Sequence, residues 1–214
     1  MAHGGPRSTV YVKFVEQNGS GQKGLAVLTR MGDQTQVVLY ATSDISQVTH
    51  IHQGDCTHLG GVNHPLTSMA TGVSVTMVEA AIDTLTIGGQ AINLHMAGDP
   101  SIYKACGEIP EISDMPDEDN GDIEALLTFE GDIASFQLPE LTMPVSSTIV
   151  WTNRDGAPLT ATLGTNGLFD GEGWDSPTLS TRQSFSHTFD QTGAFLYTCT
   201  VHPSMNSTIT VMES

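Results

Sequence analysis

Cys199, His202 and Met205 stand at three-residue intervals in the run Tyr197-Thr198-Cys199-Thr200-Val201-His202-Pro203-Ser204-Met205. A thiolate, an imidazole and a thioether on one loop between two strands are the soft donors that a blue copper centre uses. A second set of donors lies far upstream, in Val48-Thr49-His50-Ile51-His52. Residues two apart in a strand project from the same face. His50 and His52 therefore present two imidazoles side by side, half of a copper or zinc site. A His-x-His pair also occurs on polar strand faces that bind nothing, so its meaning depends on what surrounds it.

The elements that must position these donors read as strands. Short runs of alternating or β-branched residues are broken by Gly, Asn and Asp, with no helical period. Strands are expected at Thr9 to Val15, Gly24 to Thr29, Gln36 to Ala41 and Gln47 to His52. A Gly- and His-rich loop follows from Gln53 to Thr71, then strands at Val73 to Val78, Thr84 to Ile87 and Ala91 to His95. Further strands are expected at Ala134 to Phe136, Thr148 to Thr152, Thr160 to Leu163, Ser184 to Phe189, Phe195 to Cys199 and Thr208 to Met212. Ten of the 24 acidic residues fall between Glu108 and Asp132, together with Pro110, Pro116, Asn120 and Gly121. Such a stretch buries little and repels itself. The expected organisation is a domain over 8–109, an acidic linker over 110–124 and a second domain over 125–214.

The formal charge is −17, from seven basic and 24 acidic residues. It repels nucleic acid and anionic membrane surfaces. No apolar run approaches the roughly 20 residues that span a bilayer. Met1 to Ser8 lacks the apolar stretch of a secretory signal, which leaves either a signal already removed or a chain never exported. Three cysteines are present, Cys56, Cys106 and Cys199. Two of them bridging while the third binds metal would imply an oxidising, extracytoplasmic compartment.

Thr49-His50-Ile51-His52-Gln53-Gly54-Asp55-Cys56 resembles the copper-ligand strand of Cu,Zn superoxide dismutases and its Cys-bearing loop. Ile82 to His95 resembles the strand pair that ends in that family's last copper histidine. Ala105-Cys106-Gly107-Glu108-Ile109 resembles its closing Cys segment. Over about 10–109 the resemblance implies copper on His50, His52 and His95 and a Cys56–Cys106 disulfide. By chain entropy that bridge would stabilise the domain by about 3–5 kcal/mol. His64 falls near the family's metal-bridging histidine and His58 is a lesser candidate for a fourth ligand. Two departures stand out: the zinc subloop is missing, and Tyr103 occupies the place of the arginine that guides superoxide.

From Phe136 onward the chain resembles a plastocyanin-like cupredoxin, through Phe136-Gln137-Leu138-Pro139, Thr148 to Asn153, and Gly193 to Tyr197. That implies a copper site of Cys199, His202 and Met205. The family's first copper histidine has no counterpart, because Leu159 stands there in Asn153-Arg154-Asp155-Gly156-Ala157-Pro158-Leu159-Thr160. His187 alternates with Phe185 and Phe189 and reads as filling or edging a core.

The expected fold class is all-β, two Greek-key β-sandwich domains, one superoxide dismutase-like and one cupredoxin-like. The expected cofactor is copper. The leading function is an extracytoplasmic copper protein for redox, electron transfer or copper handling, served by a redox partner or copper donor. A copper-only superoxide dismutase with an appended cupredoxin is the enzymatic alternative. A non-catalytic surface or matrix protein is the structural one. Homo-oligomerisation is left open.

Overall fold

The computed structural model describes residues 8–41, 46–70, 72–111 and 127–213. The chain divides into two compact units, Met1–Asn120 and Gly121–Ser214. Most of the acidic linker expected over 110–124 lies outside the described residues.

The first unit is a single eight-stranded antiparallel sheet. Its strands are β1 (Thr9–Glu16), β2 (Gly24–Met31), β3 (Gln34–Ala41), β4 (Gln47–Asp55), β5 (His58–Met69), β6 (Val73–Val78), β7 (Gln90–Met96) and β8 (Asp99–Glu108). The spatial order is β5-β4-β7-β8-β1-β2-β3-β6. The two edge strands meet, with the Thr67 amide of β5 donating to Thr76 Oγ1 of β6 at 2.8 Å. The sheet thus curls on itself and protects its edges. Alternation explains the interior. Val10, Val12 and Phe14 on β1 point inward with Leu28, Leu39, Ile51, Ile92 and Leu94 from the neighbouring strands, all buried.

Two expectations in this unit are corrected. The stretch read as a loop from Gln53 to Thr71 is mostly β5, a strand of 12 residues. Its glycines have no strand preference of their own; pairing with β4 makes the strand, through an irregular register between Gln47 and Asp55. The strand expected at Thr84 to Ile87 is instead a helical turn, α1 (Ile82–Leu85). Ile82 and Leu85, three apart, both reach the core. The Thr84 and Thr86 hydroxyls donate to the Ala81 and Ile82 carbonyls at 2.7 and 2.9 Å, favouring the turn over an extended ladder.

The second unit is a sandwich of two sheets. Its strands are β9 (Thr128–Ile133), β10 (Leu141–Pro144), β11 (Ser147–Asn153), β12 (Thr162–Thr165), β13 (Leu168–Phe169), β14 (Ser184–Phe189), β15 (Gly193–Thr198) and β16 (Asn206–Met212). One sheet runs β10-β16-β15-β12-β13 and the other β14-β11-β9. The Trp151 indole of β11 donates to the Tyr197 hydroxyl of β15 at 3.3 Å, and that hydroxyl donates to the Pro139 carbonyl. Burial pushes the Tyr197 phenol far above its ordinary range, so it acts as a neutral donor. The strand expected at Ala134 to Phe136 is a turn after β9. Ser135 and Phe136 both have φ of 55°, and the two Asp155 carboxylate oxygens each accept one of their amides at 2.8 Å. A carboxylate that accepts two consecutive N–H groups holds them in a turn that a ladder would not allow.

Candidate metal centres

His50 and His52 lie on the same face of β4, as their spacing predicts. In the antiparallel pairing of β4 with β7, Asn93 stands opposite His50. His95, two residues further along β7, therefore shares that face as a diagonal neighbour. The three imidazoles meet with ring centroids 5.0, 5.5 and 5.8 Å apart. One ligand atom from each lies within 4.8 Å of the others.

Backbone carbonyls fix which ring nitrogens face inward. His52 Nδ1 donates to the Gly60 carbonyl at 3.0 Å, leaving Nε2 with its lone pair, buried and without a hydrogen-bond partner. His95 Nδ1 donates to the Pro100 carbonyl, so its Nε2 lone pair faces His50 Nδ1 at 3.1 Å. Outer hydrogen bonds of this kind orient the imidazoles of metal sites and raise their basicity. Burial, followed by repulsion from His95 and His52, holds the His50 imidazole below its usual range. The His95 imidazole is lowered mainly by burial, against the opposing pull of the Pro100 carbonyl. Neutral rings are the form that binds metal. Three nitrogens about 2 Å from one ion lie no more than about 4 Å apart. Closing this triangle therefore takes shifts of about 1 Å or less.

His64 does not join the three. Ile51 is its direct partner across β4 and β5, so it takes the sheet side that Ile51 takes, opposite His50 and His52. His58 is exposed and its ring meets Thr57 Oγ1 at 2.9 Å, away from the triad. Cys56 and Cys106 form a disulfide, with Cα atoms 5.7 Å apart. Tyr103, paired with His95 across β7 and β8, sets its ring edge-on to that imidazole at 5.2 Å. It also lines an open cleft of about 490 Å³ with Gln17, Asn18, Thr57 and His58. Sequence reasoning missed the roles of Gly60 and Pro100, because a carbonyl acceptor has no side-chain signature. The pairing of Tyr103 with His95 became visible only with the strand register.

In the second unit Cys199 is a free, fully buried thiol at the end of β15. Its Sγ accepts the Thr160 amide at 3.3 Å and lies 3.8 Å from His202 Nδ1. The loop from Cys199 to Met205 closes on itself. The Cys199 amide donates to the Met205 carbonyl at 3.1 Å and the Met205 amide to the His202 carbonyl at 2.9 Å. Met205 is buried beside them in the chain. Phe136, held in its turn by Asp155, sets its ring edge against His202 at 5.2 Å. Leu159 is fully buried and bonded through its backbone to Leu179, and it brings no donor atom to the neighbourhood of Thr160. His187 stacks on Trp174 at 4.9 Å and packs against Phe189, part of the aromatic core.

No family model matches the chain. Over 76 residues it is 32% identical to amicyanin of Paracoccus denitrificans. The likeness is to a cupredoxin. That match takes in 36% of this chain and 57% of amicyanin, so the chain spans a little over half the length of the curated relative it matches. Among solved structures, the reduced state of an amicyanin proline variant is 30% identical over 40% of this chain and 82% of that one, with a TM-score of 0.36. A Cu(I) form of an amicyanin methionine variant is 29% identical over the same shares, also at 0.36. The sequence identity to amicyanin supports a cupredoxin-like domain within this chain.

Proposed function

We propose that this is an extracytoplasmic copper-binding protein, engaged in electron transfer or copper handling, with its principal copper site on His50, His52 and His95. The observation that carries the reading is the unpartnered, buried Nε2 of His52 beside two further imidazoles, His95 held by the Pro100 carbonyl and His50 facing it at 3.1 Å. A buried polar atom with no partner is costly, and a cation shared with the other two rings would relieve that cost at His52. Copper there would supply one-electron chemistry between Cu(I) and Cu(II). The protein's part is to hold the rings neutral, to fix the tautomers of His52 and His95 through the Gly60 and Pro100 carbonyls, and to cover His95 with Tyr103.

On this reading residues 8–109 form a superoxide dismutase-like domain and 125–214 a cupredoxin-like one, joined by the acidic segment 110–124. Cys199, His202 and Met205 supply a second, incomplete blue-copper-type site. The disulfide supports an oxidising compartment. A redox partner or copper donor is required, and its surface would be non-acidic, given a charge of −17. The test is copper content per chain after loading and desalting, for the unaltered protein and for His50→Ala/His52→Ala. The double variant should bind one copper fewer; equal content would refute the triad.

A second reading is a copper-only superoxide dismutase with an appended cupredoxin; Tyr103, whose ring packs on His95, lines an open cleft that none of the three histidines lines. It requires superoxide consumption that disappears on chelation and in His95→Ala.

A further inference from the structure

We propose that the Cys199–His202–Met205 site accepts copper as Cu(I) only, holding monovalent copper for storage or transfer rather than cycling it. The inference rests on the copper reading for the second unit and is independent of the His triad.

The donor set comes first. Among the described residues, the sole group of three or more His, Cys, Asp or Glu ligands is the triad of the first unit. Cys199 and His202 are therefore joined by no second imidazole and no carboxylate. What remains is a thiolate, one imidazole and the thioether of Met205, a soft set suited to Cu(I). Cu(II) favours tetragonal nitrogen and oxygen ligands, and Leu159, buried next to Thr160 in the chain, offers neither.

Charge points the same way. Cu(I) and a thiolate sum to zero. Cu(II) and the same thiolate leave a net positive charge at Cys199, which is fully buried. An unpaired buried charge is strongly disfavoured. The Thr160 amide adds to this by donating to Sγ at 3.3 Å. It withdraws electron density from the sulfur and so favours the lower oxidation state, one of the known levers on thiolate-bound copper.

The experiment uses the full chain freed of metal, with Cys199 kept as the thiol and the Cys56–Cys106 disulfide intact. It is titrated anaerobically with Cu(I) against a chromophoric Cu(I) chelator, and separately with Cu(II) in air. Two equivalents of Cu(I) are expected, with ultraviolet thiolate-to-Cu(I) absorption, and no visible thiolate–copper band with Cu(II). Cys199→Ser should lose one equivalent and the ultraviolet feature. Met205→Leu, which keeps the buried volume, should weaken that equivalent by at least about 10-fold, the scale on which even outer-shell changes act. Leu159→His should gain a visible band with Cu(II), with circular dichroism verifying the fold. A strong visible band in the unaltered protein, or Cu(I) binding unaffected by Cys199→Ser or by Met205→Leu, overturns the proposal. Loss of an equivalent in His50→Ala/His52→Ala but not in Cys199→Ser would overturn this inference alone; the reverse would refute the triad instead.

Discussion

Removing the Cys56–Cys106 bridge by Cys56→Ala/Cys106→Ala tests how much of the first unit's stability comes from closing a long loop. The two cysteines are 50 residues apart. Loop closure of that length removes about 14 cal/mol/K from the unfolded chain, or about 4 kcal/mol at 25 °C. In the native state the same loop keeps other ties. Gln17 Nε2 donates to the Cys56 carbonyl at 2.9 Å, and the Cys56 amide donates to Glu108 Oε1 at 3.2 Å. The loss is therefore expected mainly in the unfolded chain rather than as a rearranged fold. Both tryptophans, Trp151 and Trp174, belong to the second unit. Tryptophan fluorescence thus follows that unit, while far-ultraviolet circular dichroism follows both. In chemical denaturation with both probes, the variant should lose about 4 kcal/mol from the dichroism transition of the first unit. On heating, the corresponding midpoint should fall by roughly 15–30 °C. The tryptophan transition should not move. A loss under about 1 kcal/mol would refute the entropic reasoning, and an equal shift in the tryptophan transition would refute its confinement to one unit.

Tyr197→Phe removes the hydroxyl that accepts the Trp151 indole. The Pro139 carbonyl keeps the Ser207 hydroxyl at 3.2 Å, so one buried N–H is orphaned. A cost of about 1–3 kcal/mol is expected in the tryptophan-monitored transition, and no change would contradict the network. The metal-free second unit should also lose stability between pH 7 and about pH 5.5. Burial lowers the His187 imidazole, only partly offset by Asp190. As pH falls past the ordinary histidine value of about 6.5, the unfolded chain therefore takes up the proton first. Stability is full above that value and declines below it, and His187→Gln should flatten the decline. A stability that rises on acidification over this range would show the sign to be wrong.

Much of the candidate chemistry is legible in the residues. Alternation marks β1, β6 and β14 almost to their ends, because half-buried strands must repeat every two residues, while β3 reads as a continuous apolar run buried on both faces. The spacing of His50 and His52 sets them on one face for the same reason. Strand β5 was not legible: Gly60, Gly61 and Asn63 are loop formers by local preference, and only the β4 edge makes them extended. Helical turn α1 and the Ser135–Phe136 turn escaped notice because distant or local side-chain hydrogen bonds decide them.

The amino-acid order alone determined the candidate donors, a His-x-His pair on one strand and a Cys-His-Met loop. Folding decided which donors meet. His95 reaches the pair through the β4–β7 register, His64 is turned away by the same rule, and the carbonyls of Gly60 and Pro100 choose the tautomers. Local spacing dictates the face a side chain takes, whereas convergence of groups 45 residues apart, as for His50 and His95, depends on strand pairing that no local pattern encodes.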